Sequence, residues 1–371
     1  MNPPHPLNLP SLYKRMGPLL RPLAGPYARL MRERRARYSD GRSASFRPAC
    51  PCVSVGNIAF GGTGKTPLVS ALLALTQEEG LRTVVLSRGY KGKPGPEPLV
   101  VTPETPVERS GDEPLMLARA FPDVPVIVFP RRAVSARLAL ERFAPDLILL
   151  DDGMQHLAVA RDRDIVLLRP EDLAEDWNRV IPSGPWREGE SALGAASAFA
   201  VKASAETFAR LVPLAERRLA RFQKPLFSFS LEATGLEPLT PESGNAPQRD
   251  GSAPYLLISG VGNPAGVEAT ATAFMGVPPV RHIVFADHHP FGDADIRAVA
   301  GSIAEPLPVL CTAKDAVKLR PLAAAFGPRP VWVLRAAAAF GPALFTDLDF
   351  AGWWRRQWTA MRHGAAMKDT A

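Results

Sequence analysis

The stretch Val53-Ser-Val-Gly-Asn57-Ile-Ala-Phe60-Gly61-Gly62-Thr63-Gly64-Lys65-Thr66-Pro67 constrains this chain more than any other part of it. An apolar run gives way to a glycine turn and then to a helix-compatible start. Gly61, Gly62 and Gly64 let the backbone curl until successive amides face one anion, and a helix N-terminus adds partial positive charge there. In such a loop Lys65 reaches the β and γ phosphates of a nucleotide, and the Thr66 hydroxyl is offered to Mg²⁺. The longer spacing G-x-x-x-x-G-K-[ST] is not met, because Ala59 stands where its first glycine would be. Phe60 occupies the place where one branch of these loops carries a lysine that reaches across a dimer. No G-x-G-x-x-G follows a strand pattern, which removes a dinucleotide fold.

A phosphate loop needs an acidic partner strand, and Asp146-Leu-Ile-Leu-Leu-Asp151-Asp152-Gly153 supplies one. Its apolar run ends in two carboxylates, which places Asp151 and Asp152 at the C-terminal end of a central strand, where Mg²⁺ must be held. Further polar clusters close other strand patterns: Ser87-Arg88-Gly89-Tyr90, Gly111-Asp112-Glu113-Pro114, Gln155-His156 and Asp287-His288-His289. Ligands of open α/β sheets bind outside the carboxyl ends of strands, so these clusters converge on one crevice. On spacing alone Asp112 reads equally well as a helix cap, and Asp287-His288-His289 as a turn before Pro290. Thr312-Ala-Lys314-Asp315 reads as a strand end leading into a helix capped by Asp315.

From Pro51 onward short apolar runs alternate with helical patterns, and runs without polar alternation indicate strands buried on both faces. The expected fold is α/β, a doubly wound, mostly parallel phosphate-loop sheet with a second, smaller α/β domain. Residues 49–228 form the first domain and 229–340 the second, with 341–371 a helical tail that returns toward the first. Glu232 to Ala253, rich in Glu, Pro, Gly and Ser, reads as linker. Two domains suit 371 residues, and 46% apolar content excludes a disordered chain. Three cysteines make neither a disulfide framework nor a zinc site and suit a reducing cytosol.

The net charge of +7 is concentrated at one end. Between Ser11 and Arg47 ten basic residues face only Glu33 and Asp40, interleaved with Leu19, Leu20, Leu23, Tyr27, Leu30 and Met31. Residues 1–48 therefore read either as a membrane-associating segment on an anionic surface or as a solvated leader. Pro18, Pro22 and Pro26 predict that any helix is confined to about Tyr27 to Arg37. No nucleic-acid module accompanies the basic run, no run is apolar and long enough to span a bilayer, and no obligate protein partner is evident.

In this order the motifs resemble the tetraacyldisaccharide 4′-kinase family of lipid A biosynthesis. The matching stretches are Ser54 to Asn57 with Gly61 to Pro67, Ser87 to Tyr90, Gly111 to Pro114, Asp151 to His156 with Arg161-Asp162, Pro182 to Glu188, Gly260 to Pro264, Phe285 to His289 and Thr312 to Leu319. The resemblance implies an ATP- and Mg²⁺-dependent kinase acting on the 4′-hydroxyl of an acylated glucosamine disaccharide 1-phosphate. It further implies ATP held by Gly61, Gly62, Thr63, Gly64, Lys65, Thr66 and Gln155, and Mg²⁺ held by Thr66, Asp151 and Asp152. Asp112 is then the base, supported by His288, and Asn57, Tyr90 and Arg187 line the crevice. A peripheral place on the cytoplasmic face of the inner membrane is implied through the N-terminal segment. The competing reading is a membrane-recruited ATPase switch without a small-molecule product.

Overall fold

A computed structural model describes residues 9–243, 246–248 and 253–366; the ends of the basic segment (1–8) and of the tail (367–371), with 244–245 and 249–252 of the expected linker, lie outside the described residues. Twelve strands form one sheet: β1 (Cys52–Asn57), β2 (Thr83–Ser87), β3 (Leu99–Val101), β4 (Val126–Val128), β5 (Leu147–Asp151), β6 (Arg163–Leu168), β7 (Ala198–Lys202), β8 (Leu226–Pro238), β9 (Leu256–Ser259), β10 (Arg281–Val284), β11 (Val309–Thr312) and β12 (Val331–Leu344). Their spatial order is β10-β9-β11-β12-β8-β7-β6-β1-β5-β2-β4-β3. Among the described residues only the β8/β12 and β3/β4 pairs are antiparallel. The architecture is therefore the expected α/β, mostly parallel one.

Every residue of β1, β2 and β5 is buried, because helices cover both faces of a parallel sheet. On one face the helix Asp112–Ala120 and the C-terminal helix Phe350–Ala366 share a core with the helix Lys65–Glu78 that follows the glycine loop. The Phe227 ring meets Phe350 at 5.3 Å and Trp353 at 5.6 Å. On the other face the helices Arg132–Phe143 and Ala205–Leu219 pack in two further clusters. Because β1 and β5 are parallel neighbours, with Val55 opposite Asp151, the glycine loop and the acidic pair leave the sheet at the same edge.

Three local expectations need correction. First, the stretch expected to be linker from Glu232 is strand as far as Pro238, paired with β12 along a register that shifts at Arg335/Ala336 and at Phe340/Ala343. Backbone pairing across about a hundred residues supplies what a half-exposed sequence does not signal, and bulges bend the strand that carries them. Second, a single helix, α1, spans Leu9–Ser39 through Pro18, Pro22 and Pro26. The prolines stand four apart on one exposed face, so the carbonyls they leave unpaired can be hydrated. The opposite face docks: a Cβ on Gly17 would sit 2.6 Å from the Ser183 carbonyl, and Tyr27 and Ala28 join the core around Trp177 and Trp186. That docking offsets a cost of ~3 kcal/mol per interior proline. Third, Thr312 rather than Asp315 caps the helix Ala313–Leu319, its hydroxyl accepting from the Asp315 amide; the buried Asp315 carboxylate instead accepts from the Gly260 amide at 3.0 Å.

Candidate active site

The glycine loop adopts the geometry its composition requires. Gly61 and Gly64 have φ of 113° and 89°, in a region where a side chain is strained. A Cβ on Gly64 would also lie 2.9 Å from the Phe229 ring. The helix then begins at Lys65. Lys65 Nζ donates to Asn57 Oδ1 at 3.3 Å and lies 3.9 Å from Asp152 Oδ1. Asn57, expected to line the crevice, is fully buried; its side-chain amide also donates to the Ala59 carbonyl, so its side-chain hydrogen bonds are within the loop.

Gln155 Nε2 donates to the Asn57 carbonyl at 3.2 Å. Arg187 Nη1 donates to Gln155 Oε1 and to Asp152 Oδ1, each at 3.1 Å, and its guanidinium lies 4.8 Å from the centre of the Phe60 ring. The position lacking the cross-dimer lysine therefore holds a cation from its own chain. Lys65, Asn57, Gln155, Arg187 and Asp152 thus form one connected polar group.

Asp151, at the end of β5, is buried, and one of its oxygens accepts from the Ser87 hydroxyl at 3.1 Å. Among the described residues the other, Oδ1, has no partner, and neither has the buried Thr63 hydroxyl. Burial, followed by the negative charges of Glu113 and Asp152, pushes the Asp151 pKa up to about 7, against the pull of Lys65 and Arg132. Arg132, almost fully buried, donates to the Asp151 carbonyl at 3.1 Å and the Phe129 carbonyl at 3.0 Å. Asp152 occupies the left-handed region at φ 53°. Burial raises its pKa, but Lys65 and Arg187 outweigh that and hold it below the usual carboxylate range.

The buried Asp151 carboxyl, with Oδ1 unpartnered among the described residues, the Asp152 carboxylate that follows it, and the Thr66 hydroxyl in the first turn of the helix are oxygen donors of the kind Mg²⁺ takes, and they fit that ion. Among the described residues no cluster of three or more His, Cys, Asp or Glu forms a metal cage. Mg²⁺ is commonly held by one or two carboxylates together with substrate phosphates.

Asp112 lies across the crevice. The helix it opens is capped by Gly111, with φ 85° and no room for a Cβ, which would sit 2.6 Å from the Tyr90 carbonyl. Asp112 is therefore not the cap, and its carboxylate is free for other partners. Oδ2 accepts from His288 Nδ1 and Lys318 Nζ, both at 3.0 Å. Lys314 Nζ lies 3.2 Å from His288 Nε2 and 2.7 Å from Asp287 Oδ1. A lysine ammonium can only donate, so Nε2 accepts and Nδ1 carries the proton directed at Asp112. Burial raises the Asp112 pKa, yet the hydrogen bonds of His288 and Lys318 and the charge of Lys318 leave it below the usual range.

The structure thus joins Asp112 to His288 and Lys65 to Asp152, Gln155 and Arg187. Tyr90 is 63% exposed and sets its ring edge-on to His288, centroids 5.5 Å apart. His289 turns away to Asp295 and the Phe285 and Phe291 rings. Sequence reasoning assigned no role to Lys314, Lys318 or Arg132. The two lysines stand four apart inside the Thr312–Leu319 motif, a spacing that puts both on one helix face; Arg132 carries no comparable signal.

A family profile described as tetraacyldisaccharide-1-P 4′-kinase matches residues 16–351. The tetraacyldisaccharide 4′-kinase of Oleidesulfovibrio alaskensis is 48% identical over 354 residues, covering 94% of this chain and 97% of the relative. That of Nitratidesulfovibrio vulgaris is 47% identical over 357 residues, covering 96% and 98%. Among solved structures, LpxK from Aquifex aeolicus in complex with ATP superposes with a TM-score of 0.66 at 26% identity, covering 88% of this chain and 95% of that one.

Proposed function

The chain belongs to the tetraacyldisaccharide-1-P 4′-kinase family, and from that premise we propose how its own residues divide the work. The enzyme transfers the γ-phosphoryl group of ATP to the 4′-hydroxyl of a tetraacylated glucosamine disaccharide 1-phosphate. The loop amides of residues 61–66 and the Lys65 ammonium receive the β and γ phosphates, with Gln155 and Arg187 fixing the loop's flank. Thr66, Asp151 and Asp152 would hold Mg²⁺, which supplies charge neutralisation at the transferred group.

The observation that carries the acceptor side is the asymmetry of Asp112: both donors engage Oδ2, which leaves Oδ1 to take a proton. The 4′-hydroxyl gives its proton to Oδ1 as its oxygen bonds to the γ-phosphorus. The bridging P–O bond breaks, and its electron pair leaves with ADP. A carboxylate below its usual pKa is a weak base, which suffices for a loose transition state in which proton transfer accompanies late bond formation. His288 and Lys318 aim the carboxylate, Lys314 fixes the His288 tautomer, and Tyr90 lines the same wall. Equal amounts of ADP and lipid-bound phosphate in an assay with the acylated disaccharide 1-phosphate and Mg-ATP support this reading. ADP formed without phosphorylated lipid would favour the ATPase-switch reading.

The same reading places α1 on the cytoplasmic face of the inner membrane. Leu19, Leu23 and Leu30 are 78%, 57% and 61% exposed and fall on one helix face, and Arg21, Arg29 and Arg32 of the same helix are exposed as well. No described helix is long and apolar enough to cross a membrane, and this pattern suits a helix lying in the interface. Replacing these three arginines by Gln is expected to weaken partitioning to anionic vesicles about 100-fold at low salt, from ~1 kcal/mol each. Unchanged partitioning in a vesicle co-sedimentation assay would return the segment to a solvated leader.

A further inference from the structure

The basic residues of α1 do not all face outward. Arg35 grips Glu188 with two prongs, Nε to Oε2 at 3.0 Å and Nη2 to Oε1 at 2.9 Å. The Glu188 side chain is 3% exposed, and no other described side chain hydrogen-bonds to it. Arg35 Nη2 also donates to the Met154 carbonyl at 3.3 Å, and Arg34 Nη2 donates to the Gln155 carbonyl at 3.1 Å. Each of these contacts lands beside a residue of the nucleotide side: Glu188 follows Arg187, and Met154 and Gln155 follow Asp152.

The gripped segments are in turn tied to the glycine loop. The Arg187 amide donates to the Ile58 carbonyl at 2.7 Å, and the Phe60 amide donates to the Pro185 carbonyl at 3.0 Å. We propose that Arg34 and Arg35 are positioning residues of the nucleotide site, through which α1 braces the loops carrying Asp152, Gln155 and Arg187. This rests on the kinase reading, in which those loops flank ATP. Without Arg35 the buried Glu188 carboxylate loses its counter-charge, a costly state that is relieved by moving the segment it sits on. Arg187 would then leave its place between Asp152 and Gln155.

The test is the affinity of the full chain for Mg-ATP, measured by titration calorimetry with neither lipid substrate nor vesicles present, so that membrane attachment cannot contribute. Arg35→Met is expected to raise the dissociation constant about tenfold, and Arg34→Met about threefold. If Arg35→Met fails to fold because it strands Glu188, the double variant Arg35→Met/Glu188→Leu removes both charges but still lacks the ties of Arg35 to residue 188 and to the Met154 carbonyl, and is expected to keep a loss of about threefold or more. Arg210→Gln, which opens an exposed ion pair with Glu206, should match the parent. Dissociation constants within twofold of the parent in every folded arginine variant would overturn the proposal and leave α1 as an anchor only. A parent chain that does not bind Mg-ATP would instead overturn the kinase reading, so the two failures are distinguishable.

Discussion

Lys65→Ala is expected to lower phosphoryl transfer by about 10³-fold while the melting temperature stays close to that of the parent. Removing one preorganised donor from a developing anion typically costs ~10²- to 10³-fold, and Lys65 is the loop's only full positive charge. Its backbone does not depend on that side chain. The curl at Gly61 and Gly64 comes from their positive φ values, and Phe229 packs against the loop at Gly64. Truncation leaves Asn57 with the Ala59 contact and Asp152 with Arg187, so the surrounding network survives. Steady-state kinetics alongside a thermal melt checks this, and near-parental turnover would remove the phosphate-loop assignment.

Asp112→Asn is expected to lower kcat about 10²-fold or more, since general-base help is worth ~10² to 10⁴. Gly111 rather than Asp112 caps the helix, so the change preserves shape and removes little but the ability to accept a proton. His288→Ala should fall in the same range, because it strips one of the two donors that aim the carboxylate. The double variant should lose little more than the worse single one, as residues acting as a unit are non-additive. The low Asp112 pKa also has a sign: the proposed base is ionised throughout neutral pH, so its effect on kcat/KM is expected only as pH falls below the usual carboxylate range. Most of the activity surviving in Asp112→Asn, or losses that simply multiply in the double variant, would remove the assigned pair.

What the sequence made legible follows from where the information sits. The strands Cys52–Asn57 and Leu147–Asp151 are continuous apolar runs because both faces are covered, and the glycine spacing can only serve a tight turn. Asp151, Asp152 and Lys65 could be placed beside each other from those patterns alone. The extent of Leu226–Pro238 could not, because that strand takes its hydrogen bonds from a partner about a hundred residues away. Nor could the path of α1 through three prolines, since propensity favours a break and only docking against Ser183 and the Trp177 region overrides it. Asn57 illustrates a different limit. Its place in a motif pointed to the crevice, but burial decides what an amide touches, and that depends on how the loop closes over it.

In the proposed reaction the acceptor is the 4′-oxygen of a lipid disaccharide, and Asp112 receives its proton. The most direct measurement is ³¹P and proton NMR of the lipid recovered after incubation of the parent chain with Mg-ATP and tetraacyldisaccharide 1-phosphate. The predicted result is a second phosphomonoester resonance coupled to the proton on C4′, at least 10²-fold slower to accumulate with Asp112→Asn. An unmodified lipid recovered after ATP has been consumed, or a phosphate attached at any other carbon, would contradict it.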